Sequence, residues 1–192
     1  MSATTTVHEL VAQPATREAL APFGNLLGTP DLPPIQTQSA FYSTQSALYV
    51  PGPIESARPL EWLLYEADPR PFHVQYLERH VELTQAFISL GANPFVVVLA
   101  RPDAEMDEHD FPRLDEIRAF VVPGNCGFCM HRGTWHEPPY PIVRSTFLMT
   151  SHADLTAGLL QPLDAKGEVG KLDVEKRNLA GRAGYELKVR LA

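Results

Sequence analysis

The chain has 192 residues, 44% hydrophobic and 20% charged, the composition of a globular domain long enough to bury its own core. Its formal net charge is -7 and it has no Lys/Arg cluster, which argues against a nucleic-acid partner. No apolar run approaches the ~20 residues needed to span a bilayer. Residues 1–13 lack the basic and apolar regions of a secretory leader. Cys126 and Cys129 form a single C-x-x-C pair, too few cysteines for a disulfide framework. These features are read as a soluble, cytoplasmic protein with no membrane partner.

The 18 prolines outnumber the 12 glycines and cluster at Pro33-Pro34, Pro51-Gly52-Pro53 and Pro138-Pro139. That punctuation suits short strands and rigid loops. In chain order, a short helix is expected after Thr16, with Thr16 as cap, Glu18 in the first turn and Pro22 limiting its length. Residues 28–39 read as loop, 41–50 as a strand, and 61–65 (EWLLY) as another.

From Phe72 the pattern alternates. Phe72, Val74 and Tyr76 share one parity, which continues to Glu78 and His80. A regular strand therefore points Glu78 and His80 inward and Arg79 outward. Residues 85–90 form the next strand, and the apolar run 94–100 a buried one. The acidic stretch 101–116 reads as exposed loop, 117–122 as strand, and Pro123-Gly124-Asn125 as a turn. Residues 142–150 and the alternating tail Tyr185, Leu187, Val189, Leu191 are further strands, with 164–181 a loop or short helix. Many short strands with Pro/Gly turns indicate a sandwich or barrel.

Two polar clusters interrupt the apolar pattern. One is Glu78-Arg79-His80 with Gln85. The other is His131-Arg132-Gly133-Thr134-Trp135-His136-Glu137-Pro138. Burying a carboxylate or imidazole costs several kcal/mol, roughly, unless it is paired or bound to metal. Such a set at a barrel mouth can hold a divalent metal or run general acid–base chemistry, and both readings stand at this point. Cys126 and Cys129 lack the further ligands that zinc needs. His73, His109 and His152 are read as solvated.

The spacing resembles the two cupin motifs, with Glu78, His80 and Gln85 in the first and Gly133-x-x-His136 in the second. More specifically, ERH-x-x-x-x-QAF-I-x-L at 78–90 followed by HRGTWHEP at 131–138 resembles the ureidoglycolate lyase family, as does Ala21-Pro-Phe-Gly24. The chain departs from the family's words at Val81, Cys129, Met130 and Glu137. The resemblance implies a mainly β, cupin-like double-stranded β-helix (jelly-roll) barrel with a short N-terminal helix. Residues 1–192 would form one domain, with a core at about 16–151 and an extension at 152–192. The implied activity is carbon–nitrogen lysis of ureidoglycolate, or a related carbinolamine acid, to glyoxylate and urea in allantoin and purine breakdown. Alternatives are a metal-dependent cupin isomerase or oxygenase, and a non-catalytic small-molecule binder. Glu78, His136 and His131 are then the candidate catalytic residues. Arg132, Gln85 and Trp135 are candidate substrate contacts. His80, Glu78, Gln85 and His136 are candidate ligands for nickel, manganese or zinc. A homodimer is the expected assembly.

Overall fold

The computed structural model describes residues 6–35, 46–159, 162–171 and 173–192. Strand β1 (Thr6–Pro14) leads into helix α1 (Arg17–Leu20), whose first turn is capped as expected: the Thr16 hydroxyl accepts the Ala19 N–H at 3.1 Å. Strand β2 (Gly24–Leu27) follows. A Cβ on Gly24 would lie 2.2 Å from the Cys129 carbonyl, so only glycine lets this strand lie so close to its neighbour. Of the strand expected at 41–50, residues 41–45 lie outside the described residues. In the remainder only Leu48 bridges, to Ile35.

The middle of the chain supplies β3 (Glu61–Ala67), β4 (His73–Val74), β5 (Tyr76–His80), β6 (Ala86–Ser89), β7 (Phe95–Ala100), β8 (Arg118–Val122), β9 (Gly127–Met130), β10 (Trp135–His136), β11 (Tyr140–Pro141) and β12 (Ser145–Ser151). After it come α2 (Ala153–Leu159), β13 (Val169–Lys171), β14 (Val174–Asn178), α3 (Leu179–Ala183) and β15 (Tyr185–Leu191). Within the loop 101–116, Phe111 is fully buried, so that segment is anchored rather than wholly exposed. The segment 164–181, expected as a loop or short helix, is helical only at its end, where α3 begins. It contains the β13–β14 hairpin, and β14 pairs antiparallel with β5. Nothing in its charged sequence alternates clearly enough to reveal that pairing.

The strands form two sheets, ordered β13-β14-β5-β10-β7-β8-β1-β15-β4 and β2-β9-β6-β12-β3. Within them β3-β12-β6-β9 and β5-β10-β7-β8 are antiparallel throughout. Lettering these strands A to H in chain order gives A-H-C-F and B-G-D-E, the double-stranded β-helix order of the cupin jelly roll. The barrel core lies between the sheets and includes Phe87, Phe95, Val97, Leu99, Phe128 and Phe147.

A second core fills the opposite face of the larger sheet, with Val74, Leu77, Val96, Val98, Trp135, Leu179 and Leu187. The two faces of β7 thus feed two cores, which is why its six residues are all apolar and fully buried. Each such large side chain contributes about 1.5–3 kcal/mol on burial. The larger sheet curls until β4, at its far end, lies one residue from β5. That break corrects the alternation expected from Phe72 to His80. Val74 and Leu77 pack in the same outer core, so parity slips at Gln75. Within β5 itself Glu78 and His80 still share a face.

Candidate functional site

Three strands place the polar cluster. Across the β5–β10 pair, Glu78 stands opposite His136, and across β5–β14 it stands opposite Lys176. Residues directly opposite in antiparallel strands carry their side chains on one face. The row therefore reads Lys176, Glu78, His136, with His80 one repeat along β5. His136 Nε2 lies 3.7 Å from Glu78 Oε1, and Lys176 Nζ lies 4.0 Å from Glu78 Oε2. The His80 and His136 rings are 5.3 Å apart. Gly133, at φ 80°, makes the turn that delivers β10, and its N–H donates to the His80 carbonyl at 2.6 Å. The Thr134 hydroxyl donates to the Phe23 carbonyl at 2.8 Å and pins the same loop.

His136 Nδ1 lies 3.0 Å from the Thr134 carbonyl. A carbonyl only accepts, so Nδ1 carries the proton and Nε2 presents a lone pair to Glu78 and the cavity. Burial lowers the His136 pKa from the usual 6.5 to about 4. The Glu78 charge opposes that shift, while His80 and Lys176 reinforce it. The ring is neutral at pH 7, the form needed for a base or a metal ligand.

Donor atoms of Glu78, His80 and His136 lie within 4.8 Å of one another. Both His80 ring nitrogens, His136 Nε2 and the Gln85 side-chain oxygen are buried without a hydrogen-bond partner among the described residues. Buried polar atoms are ordinarily satisfied. Donors about 2.1 Å from a tetrahedral metal sit about 3.4 Å apart, close to the 3.7 Å seen here. The residues fit a divalent metal.

Beside them is a cavity of about 220 Å³ lined by Tyr65, Arg70, Tyr76, Glu78, His136, Glu137, Pro138 and Lys176. Arg70 donates to Glu137 at 3.0 Å and to the Pro138 carbonyl at 2.8 Å, and it lies 3.7 Å over the Tyr140 ring. Burial raises the Glu137 pKa, with Tyr140 and Arg70 holding it back. Two larger hollows, about 410 and 470 Å³, are lined by none of the residues with unpartnered buried donors.

Of the expected site residues, Glu78, His80 and His136 come together. Gln85 is buried and shares parity with Phe87, whose ring lies 5.9 Å from His136. Trp135, next to His136 in its strand, points to the other face, into the outer core, where the Arg79 guanidinium lies 4.5 Å over it. Arg79 points away from the barrel interior and is half-buried, pairing with Glu175 at 2.8 Å. His131 Nε2 sits 3.1 Å from the Ala21 carbonyl, and exposed Arg132 donates twice to the Val81 carbonyl. Neither lines the cavity.

His152 is not solvated. It is 2% exposed and lies 3.4 Å from fully buried Asp173. Sequence reasoning missed Tyr65, Arg70, Lys176 and Asp173. Tyr76 and Glu137 sat in the motifs already singled out, and the same strand parity that marks Glu78 also marks Tyr76. Cys126 and Cys129 are buried, unpaired thiols, and neither belongs to a metal-capable group among the described residues.

Residues 7–159 match the family profile described as Ureidoglycolate lyase. A ureidoglycolate lyase from Pseudomonas savastanoi pv. phaseolicola is 32% identical over 153 residues, covering 77% of this chain and 85% of that protein. One from Pseudomonas fluorescens SBW25 is 33% identical, covering 75% and 84%. One from Azotobacter vinelandii is 30% identical, covering 67% and 75%. Among solved structures, a TDP-fucose-3,4-ketoisomerase from Campylobacter jejuni aligns with TM-score 0.29 and 13% identity, covering 66% and 80%, a likeness too slight to carry an argument. With the jelly-roll order, the paired motifs on β5 and β10 and these relatives, the chain belongs to the ureidoglycolate lyase family.

Proposed function

We propose that this protein cleaves ureidoglycolate to glyoxylate and urea, as a step in the breakdown of allantoin-derived ureides. The carrying observation is the neutral His136 Nε2 facing Glu78 across 3.7 Å at the wall of a small cavity that also holds Lys176.

The substrate carbon bears a hydroxyl and a ureido nitrogen. His136 Nε2 takes the hydroxyl proton, the oxygen's electron pair closes the carbonyl, and the C–N bond breaks with its electrons going to nitrogen. The imidazolium, held by Glu78, returns the proton to that nitrogen, so urea leaves and His136 is regenerated. Lys176 receives the substrate carboxylate. Arg70 is already committed to Glu137 and shapes the wall. A divalent nickel, manganese or zinc ion held by Glu78, His80 and His136 would polarise the substrate's oxygens, and we propose the buried, unpartnered Gln85 oxygen as a further donor. With such an ion in place His136 Nε2 would serve as a ligand, and the Glu78 carboxylate oxygen not engaged by the ion would carry the proton.

Purified protein incubated with ureidoglycolate, with and without each ion, should release glyoxylate well above the spontaneous rate. Glyoxylate release at the spontaneous rate under all conditions would overturn the assignment. Glu78→Gln should reduce turnover at least a hundredfold, because it removes the charge that holds the His136 imidazolium while the proton is transferred.

We also propose a cytoplasmic homodimer. Buried unpaired thiols at Cys126 and Cys129 support a reducing compartment. Strand β3 ends its sheet among the described residues and exposes Trp62 (66%) and Leu64 (63%), an apolar edge suited to pairing with a second copy.

A further inference from the structure

We propose a second divalent-metal site, built from His152, Asp173 and Glu82 and adjoining the first through His80. Three separate elements bring it together. His152 precedes α2, and its carbonyl accepts the Leu155 N–H at 2.8 Å. Glu82 follows β5. Asp173 leads into β14, beyond the 7–159 segment shared with the family. The donor atoms of the three residues lie within 4.8 Å of one another.

The geometry separates this set from an ordinary ion pair. Asp173 is fully buried and His152 is 2% exposed. Neither ring nitrogen of His152, nor Asp173 Oδ2, has a hydrogen-bond partner among the described residues. His152 Nε2 and Asp173 Oδ2 face each other at 3.4 Å. A charge-assisted N–H···O bond closes to about 2.7–2.9 Å. Two donors on one tetrahedral zinc stand about 3.4 Å apart, given bonds near 2.1 Å. The observed gap matches that spacing.

The carboxylate is also held ready. Asp173 Oδ1 accepts the Glu82 N–H, and the Asp173 carbonyl accepts the Val81 N–H at 3.3 Å. Oδ2 is thereby left aimed at the histidines, with His80 Nδ1 at 3.6 Å as a fourth donor. Two carboxylates and two imidazoles favour a dication. Arg58, which pairs with Glu82 and Asp154, offsets only part of that charge. Imidazole and carboxylate donors in fourfold geometry are those of zinc. The inference does not rest on the lyase assignment.

Zinc titrated into metal-free protein by calorimetry tests it. The Glu78→Gln/His136→Gln double variant, lacking two donors of the first set, should still bind one equivalent. Adding His152→Ala should abolish that equivalent, and Asp173→Asn should weaken it at least tenfold. Cobalt in the same double variant should give the intense visible bands of fourfold coordination. Loss of all binding in the double variant, or unchanged binding on adding His152→Ala, overturns the proposal. If the histidine variant does not fold, zinc-soaked crystals of the unaltered protein decide the matter by anomalous scattering. A peak about 2.1 Å from both His152 Nε2 and Asp173 Oδ2 is expected, and its absence refutes the site.

Discussion

Lys176→Met isolates the proposed carboxylate contact. Lys176 Nζ stands 4.0 Å from Glu78 Oε2 and lines the cavity, so a bound carboxylate can approach it at a similar distance. At that separation an effective dielectric of 20 gives about 4 kcal/mol of attraction. The lysine side chain is 25% exposed, and solvent screening brings this down to about 1–2 kcal/mol. That corresponds to about a five- to thirtyfold loss in kcat/KM. A carboxylate keeps its charge through the reaction, so the contact is made equally in ground and transition states. The loss should then fall on KM with kcat nearly constant. Lys176→Arg should recover most of it. Steady-state kinetics of glyoxylate release over a range of ureidoglycolate concentrations provide the assay. Lys176 also holds the His136 pKa down, so Lys176→Met should shift the acid limb of the pH profile upward. An unchanged KM, or a fall in kcat alone, would refute the assignment of Lys176 as a binding residue.

Further outcomes follow from the same geometry. The folded His136 pKa, about 4, lies below its usual 6.5, so the unfolded chain binds more protons between those values. Stability from this ring is therefore full above pH 6.5 and declines by roughly 3 kcal/mol as pH falls to about 4. Denaturant unfolding at stepped pH should show this slope, and His136→Gln should flatten it. Arg70→Ala strands the buried Glu137 carboxylate and should cost about 3 kcal/mol in chemical denaturation, with Glu137→Gln on the same background restoring part of the loss. Trp62→Glu with Leu64→Glu should yield a monomer by sedimentation without loss of fold, because both side chains already face solvent. A dimer that survives both changes would exclude β3 as the pairing edge.

Much of the candidate site is legible in the sequence. The words ERH and HRGTWHEP each carry local information: period-two alternation sets which face Glu78 takes, and Gly133 marks the turn that returns His136 to it. The capped first helix and the all-apolar β7 are legible for the same reason, since capping and burial act within a few residues. Alternation could not show that the strand breaks at Gln75, because the break serves the curl of the larger sheet. Nor could it separate His136 from its neighbours. His131 and Arg132 sit in the same motif yet bond to backbone carbonyls outside the cavity, while Trp135 faces the other core. What the sequence alone determined was a strand-rich sandwich or barrel, narrowed to a cupin-like barrel by the family resemblance, with Glu78, His80 and His136 among the candidate site residues. Only the tertiary structure decided what surrounds them. Lys176 and Asp173 reach the site through the pairing of β14 with β5, nearly a hundred positions upstream. That pairing is selected by burial of the outer core, a long-range gain that no local pattern in a charged tail encodes.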